Sequence, residues 1–249
     1  MEVDGVFDDC QDMVKTAFLD EDITKHKQLT SANSINVARW LPQMFYYFIA
    51  YRALKKINKP LVVSVPSGNF GNICAGLMAR EIGLPIDHFI ASTNINDVVP
   101  DFLSSGVYTP KKSSPTISNA MDVGDPSNFI RILKIFGDDF ESLKETFSGY
   151  RFTDDETREA LKEIHEISGY VADPHGAVGY LGLKEYLKDH PEKYGIFLET
   201  AHPVKFLDTV EDTLNIKVDI PERLKETLSK TKESIEIQDY QGLKNFLLR

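Results

Sequence analysis

Cysteine is scarce in this sequence, with 2 among 249 residues and no Cys-x-x-Cys pair. That argues against both a disulfide scaffold and a cysteine zinc site. Long apolar runs are missing too. The longest, Met44 to Tyr51, is far too short to cross a bilayer. The opening residues Met1-Glu2-Val3-Asp4-Gly5 have neither the basic nor the apolar part of a signal peptide, so a cytoplasmic, reducing setting is expected. Positive charge is in deficit. Lys and Arg total 28 against 38 Asp and Glu, a net charge of −10. No cluster of cations interleaved with aromatics marks a nucleic-acid face. The pairs Lys55-Lys56 and Lys111-Lys112 read as solvated surface. Acidic residues are scattered without metal-ligand spacing, so no metal site is expected. Internal repeats and low-complexity tracts are absent.

What the chain does have is 42% apolar residues, enough to bury a large core, with 15 Gly and 12 Pro as punctuation. Residues 7–18 read as a helix, with Phe7, Val14 and Phe18 at helical spacing. From 35 to 54 a wide helical stripe recurs through Val37, Leu41, Met44, Phe45, Phe48 and Ile49, with Pro42 expected to kink or interrupt its start. Leu61-Val62-Val63-Ser64-Val65 and Phe89-Ile90-Ala91-Ser92 read as buried parallel strands. Between them a helix from about Asn72 stops at Gly83 and Pro85. A further helix spans about 97–103. The stretch 108–128, rich in Ser, Pro, Thr and Asn, reads as a long connection with at most one short strand. Thr153-x-x-Glu156 is a capping box, and Asp173-Pro174 pairs an N-cap with an N1 proline. Residues 195–199 form another strand, and 221–249 a peripheral helical tail. The alternation predicts an α/β fold: an open, mostly parallel sheet with helices on both faces.

Three segments hold candidate chemistry. In 65–72 a strand enters a glycine-containing loop that opens a helix; such a turn is either an ordinary βα connection or an anion site built from free N–H groups. It matches neither the dinucleotide nor the P-loop pattern. Thr200 and His202 follow a strand at the end where open α/β sheets bind ligands, yet either residue serves equally as a helix cap. Four small polar residues, Ser31, Asn33, Ser34 and Asn36, precede a helix with Arg39 in its first turns. That entry reads as overlapping caps with a surface arginine, or as an anion clamp. Asp173-Pro174-His175-Gly176 is adequately explained as a helix start, with a catalytic His175 as the alternative, and Cys74 by packing.

These segments, with two more, resemble one family in order and over nearly the whole chain: 31–39 (SANSINVAR), 65–72 (VPSGNFGN), 92–99 (STNINDVV), 116–128 (TISNAMDVGDPSN), 173–179 (DPHGAVG) and 199–206 (ETAHPVKF). The family is threonine synthase, a pyridoxal-phosphate enzyme of the tryptophan-synthase-β-like fold (fold type II). The resemblance implies conversion of O-phospho-L-homoserine and water to L-threonine and phosphate. It assigns the cofactor phosphate to Ser67, Gly68, Asn69, Phe70, Gly71 and Asn72, the pyridine nitrogen to Thr200, and the substrate phosphate to Asn33, Ser34 and Arg39. The family's Schiff-base lysine, in a Phe-Lys-Asp motif upstream of the SANSIN stretch, has no counterpart here, because no Phe-Lys-Asp occurs. The resemblance therefore implies that residues 1–249 are the carboxyl-terminal portion of such an enzyme, mainly its large cofactor-binding domain. No catalytic lysine is assigned in this chain, an amino-terminal part of the same enzyme is missing, and the chain alone is expected to be inactive. Competing readings keep the fold with another substrate, as in an amino-acid dehydratase or a β/γ-replacement enzyme, or make the chain a non-catalytic binding module.

Overall fold

The computed structural model describes residues 1–34, 36–228 and 230–249, so Ile35 of the SANSIN stretch and of the helical stripe lies outside the described residues. In chain order the elements are β1 (Glu2–Val3), α1 (Phe7–Leu19), α2 (Glu21–Thr24), a 3-10 turn Val37–Arg39, α3 (Trp40–Leu54), β2 (Leu61–Pro66), α4 (Gly71–Glu81), β3 (His88–Thr93) and α5 (Val98–Ser105). A 3-10 turn Asn119–Met121 precedes α6 (Phe129–Ile135), α7 (Phe140–Thr146), β4 (Phe147–Arg151), α8 (Asp154–Ser168), α9 (Pro174–Asp189) and β5 (Tyr194–Phe197). A third 3-10 turn, Pro203–Phe206, leads to α10 (Leu207–Leu214), α11 (Glu222–Leu228), β6 (Glu236–Ile237) and α12 (Tyr240–Leu247). Among the described residues no helix is long and apolar enough to cross a membrane.

The chain divides into two compact units, one of Met1–Ala32 with Asp219–Arg249 and one of Asn33–Val218. In the first, β1 and β6 pair in parallel, Val3 beside Ile237. Asp20 caps α2 and binds α12, accepting from Lys244 Nζ at 2.9 Å and Tyr240 Oη at 2.6 Å.

The second unit holds a four-stranded sheet, ordered β4-β3-β2-β5 and parallel throughout. β2 and β3 are buried along their whole length, as apolar strands covered on both faces must be. Alternation divides their side chains. Val63, Val65, Phe89 and Ala91 join the core with Tyr47, Ile73, Leu77, Phe102 and Phe129 of the helices on one face. Val62 and Ile90 face Leu183 and Tyr186 of α9 on the other. On that second face Ser64 Oγ donates to the Gly179 carbonyl at 2.6 Å, which leaves Ser92 Oγ as the donor of their 2.8 Å bond. Two buried hydroxyls thus fasten α9 to the sheet.

The βα order and helices on both faces agree with the sequence reading, and the Thr153 box and Asp173 cap form as expected, with Thr153 accepting from Glu156 N–H and Asp173 from His175 N–H. The start of the striped helix is interrupted: the 3-10 turn Val37–Arg39 gives way to α3 at Trp40, and Pro42 falls in the first turn of α3, where its missing N–H is not needed. Some local readings need correction. The stripe expected to be buried splits: Met44 packs inward, whereas Leu41 is 52%, Phe45 61% and Ile49 68% exposed. Residues 108–128 contain a 3-10 turn and no strand. The strand β4 and the helices α6 and α7 were not legible.

Two outcomes test this account. Ser64→Ala orphans the Ser92 donor and part of the Gly179 acceptor, and is expected to lower unfolding free energy by about 1–3 kcal/mol in denaturant titration. The Lys244 ammonium and then the Tyr240 hydroxyl hold the Asp20 carboxyl down at about 2. The stabilisation this reflects is present above the ordinary carboxylate value and is lost as pH falls through about 2. Lys244→Met should return the Asp20 midpoint toward the ordinary value in an NMR titration.

Candidate functional site

The carboxyl end of β2 runs through Ser67 into a loop that opens α4. Phe70, the residue before the helix, takes a left-handed φ of 61° and aims the first turn at the open end of the sheet. The first N–H groups of that helix have no intrahelical acceptor and carry the positive end of its dipole. A side chain at two of the glycines would collide with the opposite wall. A Cβ at Gly68 would lie 2.6 Å from Met121 Cα, and one at Gly71 2.6 Å from Ser34 Cβ.

The loop is held from outside by amides. Asn69 Nδ2 and Asn128 Nδ2 donate to Ser34 Oγ at 3.2 and 3.0 Å, and Ser34 in turn donates to Asn33 Oδ1 at 3.2 Å. Asn69 Oδ1 accepts from the Ser127 backbone at 2.7 Å, and Asn128 Nδ2 also reaches the Asn69 carbonyl at 2.8 Å. The Ser34 carbonyl accepts from Trp40 Nε1 at 3.1 Å and Arg131 at 3.2 Å, with the guanidinium lying over the Trp40 ring. On the first turn of α4, Tyr47 Oη donates to Asn72 Oδ1 at 2.6 Å. The loop that supplies Ala120 and Met121 is tied by Asn94, which donates to Thr116 Oγ1 at 2.8 Å and Asp122 Oδ1 at 2.9 Å.

These elements line an open cavity of about 790 Å³ at the carboxyl ends of β2 and β5. Ser34, the whole run Ser67 to Asn72, and Thr200 all line it. Asn33 and Arg39 do not; Arg39 is exposed at the end of its 3-10 turn. His202 Nδ1 accepts from Val204 N–H at 3.2 Å and is the N-cap of the following turn, so Thr200 is not that cap. His175 is buried at the cavity wall, bonded to Asp173 and to the Ala120 N–H. Sequence reasoning gave no role to Gln43, Ala120, Glu199, Asn128 or Arg131. Glu199 and Asn128 sit inside recognised stretches, whereas nothing local marks Arg131, whose value comes from a contact 97 residues away. Among the described residues no group of three or more His, Cys, Asp or Glu is arranged to hold a metal ion.

A larger cavity, about 1020 Å³, opens at the amino ends of the strands around Pro60, Leu61, His88 and Tyr194. None of the segments singled out in the sequence reaches it, and ligands of open parallel sheets bind at the opposite, carboxyl ends.

Comparison with known proteins accords with this geometry. The family described as pyridoxal-phosphate dependent enzyme matches residues 1–198, and the chain belongs to that family. Residues 176–247 match the family described as threonine synthase, C-terminal, and within the larger family the chain falls among the threonine synthases. It is 47% identical over 248 residues to the threonine synthase of Buchnera aphidicola subsp. Schizaphis graminum, covering 99% of this chain and 57% of that protein. The crystal structure of threonine synthase from Escherichia coli matches with a TM-score of 0.94 at 43% identity, over 100% of this chain and 57% of that one. A PLP-bound threonine synthase from Brucella melitensis matches at 0.85 and 31% identity, over 99% of this chain and 58% of that one. The chain thus spans a little over half the length of the relatives it matches.

The cavity fits a phosphate-bearing aromatic cofactor: a glycine-lined helix N-terminus, a hydroxyl at Thr200, and a buried Gln43 Oε1 with no protein partner all belong to its wall. Cys74, behind the loop, has its thiol on the Asn128 carbonyl at 3.5 Å, and burial pushes its pKa well above the ordinary thiol value. A thiol reagent should therefore modify Cys10 in the native protein and spare Cys74 until denaturant is added, as mass spectrometry of the labelled peptides will read.

Proposed function

We propose that the chain is the carboxyl-terminal part of a threonine synthase and holds pyridoxal phosphate together with the phosphate of O-phospho-L-homoserine, for conversion with water to L-threonine and inorganic phosphate. The observation that carries this reading is the convergence of Ser34, Ser67 to Asn72 and Thr200 on one cavity.

In this reading the N–H groups from Gly68 to Asn72 take the cofactor phosphate, at a helix end that favours negative charge despite the acidic whole, while the Ser67 N–H stays on the Ser92 carbonyl at 2.8 Å and Ser67 shapes the loop. The Thr200 hydroxyl meets the pyridine nitrogen; being neutral, it leaves that nitrogen less fully protonated than a carboxylate would. Bound pyridoxal phosphate supplies an electron sink for charge developing at the substrate carbons. Ser34, with Asn33 and Arg39 of the same helix entry, holds the substrate phosphate and aligns it as leaving group. Two of these three stand outside the cavity wall, so the Arg39 assignment rests on the resemblance and on its place beside Ser34 in sequence.

By itself the chain is expected not to complete the reaction. Phe-Lys-Asp is absent from its sequence, and no lysine is among the described residues that line the cavity. Spectrophotometric titration of the purified 249-residue chain should detect pyridoxal phosphate binding, while a phosphate-release assay on phosphohomoserine stays at background. Turnover would overturn the inactivity, and failure to bind the cofactor would overturn the site. Arg39→Ala should weaken phosphohomoserine binding by about tenfold or more in calorimetry and leave cofactor binding intact. An unchanged affinity would instead favour a substrate without phosphate, as in a dehydratase.

A further inference from the structure

One buried ionisable cluster takes no part in the roles above. Asp173, the fully buried N-cap of α9, uses Oδ1 to accept from the His175 backbone N–H at 2.8 Å and from His175 Nδ1 at 2.6 Å. His175 Nε2 accepts from the Ala120 N–H at 3.2 Å. The ring proton therefore sits on Nδ1, and the imidazole links α9 to the cavity wall at Ala120. Phe206 packs against the ring at 4.7 Å and closes off that side.

The remaining oxygens of the cluster are the anomaly. Asp173 Oδ2 and both oxygens of Glu199 are buried and have no hydrogen-bond partner of good geometry; the Asp173 backbone N–H lies near Glu199 and favours its charge only weakly against burial. Glu199 lies so close over the start of α9 that a Cβ at Gly176 would run into its carboxyl group. Three buried acceptors side by side are a costly arrangement unless one carries a proton. Two adjacent carboxyls out of water cannot both ionise, so a single proton between them removes the like-charge repulsion and supplies the missing donor.

We infer that Glu199 is a protonated acid that donates to Asp173, and that the chain Glu199–Asp173–His175–Ala120 positions the two cavity walls, Thr200 on one side and Ala120 on the other, around the cofactor ring. The positioning half rests on the cofactor assignment proposed above; the shared proton does not. Glu199 is in this view a positioning residue, acting through its neighbour Thr200.

The titratable groups that face Glu199 are Asp173 at the start of α9 and Tyr170 in the turn before it, and His175 faces Asp173. Burial, and next the Asp173 carboxylate beside it, push the Glu199 carboxyl up to about 9. Burial also opposes the Asp173 charge, but the hydrogen bonds from His175 and Glu199 outweigh it and hold Asp173 below its ordinary value. Tyr170 is raised by burial and by these two acids, so its phenol stays neutral in the same range. A folded value above the ordinary 4.5 makes the Glu199 contribution to stability fullest below 4.5 and has it decline until about pH 9.

The test uses the full 249-residue chain and two readouts. In pH-difference infrared spectra, a protonated-carboxyl C=O band should disappear with a midpoint near 9 and be missing from Glu199→Gln. In fluorescence titrations with pyridoxal 5′-phosphate, Glu199→Gln, whose amide still donates to Asp173, should bind within about twofold of the unmodified chain and lose its pH dependence between 7 and 10. Glu199→Ala, which strands Asp173, should bind about tenfold more weakly across that range. A spectrum with no band that Glu199→Gln removes overturns the shared proton. Equal weakening by Gln and Ala overturns the positioning role. If the unmodified chain binds no pyridoxal phosphate, the cofactor reading fails and the positioning role with it, while the infrared band still decides the proton.

Discussion

The hydroxyl of Ser34 accepts from Asn69 and Asn128 and donates to Asn33, so three stretches of chain converge on one oxygen. The loop after β2, the entry to α3 and the start of α6 can share it only because residue 71 has no side chain. If the contact is lost, the buried Asn128 amide and the half-buried Asn69 amide lose an acceptor and the loop loses the wall against which it is shaped. The left-handed backbone at Phe70 is retained on the same terms, since such a conformation survives where the surroundings over-determine it. The direction in which the first turn of α4 points, and hence the anion-binding character of the cavity, follows from this knot.

The opposite wall depends on α9. Ser64 and Ser92 fasten the helix to the sheet, Asp173 starts it, and His175 reaches from its first turn to Ala120. These are polar contacts in a largely apolar interior, where each satisfied pair is directional and each unsatisfied one is expensive. The apolar core sets where the sheet and helices lie, and the buried hydrogen bonds set the angles at which two walls meet. An acid pair at Asp173 and Glu199 belongs to the same logic, because the proton it retains bridges two carboxyls that would otherwise repel.

Much of the fold was legible because its signals are local. β2 and β3 announce themselves as short β-branched runs, and α8 and α9 begin at Thr153 and Asp173, whose side chains bond their own backbone. β4 was not legible: in Phe147–Arg151 only Phe147 is buried, and Gly149 is a weak strand former. Its pairing with β3 comes from the neighbouring strand. The stripe on α3 misled for a related reason. Periodicity reports which residues share a helical face, but not how much of that face finds something to cover it, and Phe45 and Ile49 are left outward. Within the site, the glycine loop and Thr200 were visible as strand ends with the right residue types, and Ser34 as part of a polar helix entry. Arg131 was not, since its partners Ser34 and Trp40 are remote in sequence.

The sequence by itself determined the element order, the parallel α/β class and the residue types at each strand end, because helix caps, glycine turns and apolar alternation act over a few residues. Only the tertiary structure decided that Ser34, the Gly68–Gly71 loop, Ala120, His175 and Thr200 share one cavity while Arg39 stands outside its wall. It alone also brought Glu199 against Asp173, 26 positions apart by number. Proximity of that kind arises from packing helices onto both faces of a sheet, and no local pattern encodes it. The acid–base character of a buried group follows from such neighbours, so a glutamate that looks like any other in the sequence becomes, once folded, a site able to keep its proton at neutral pH.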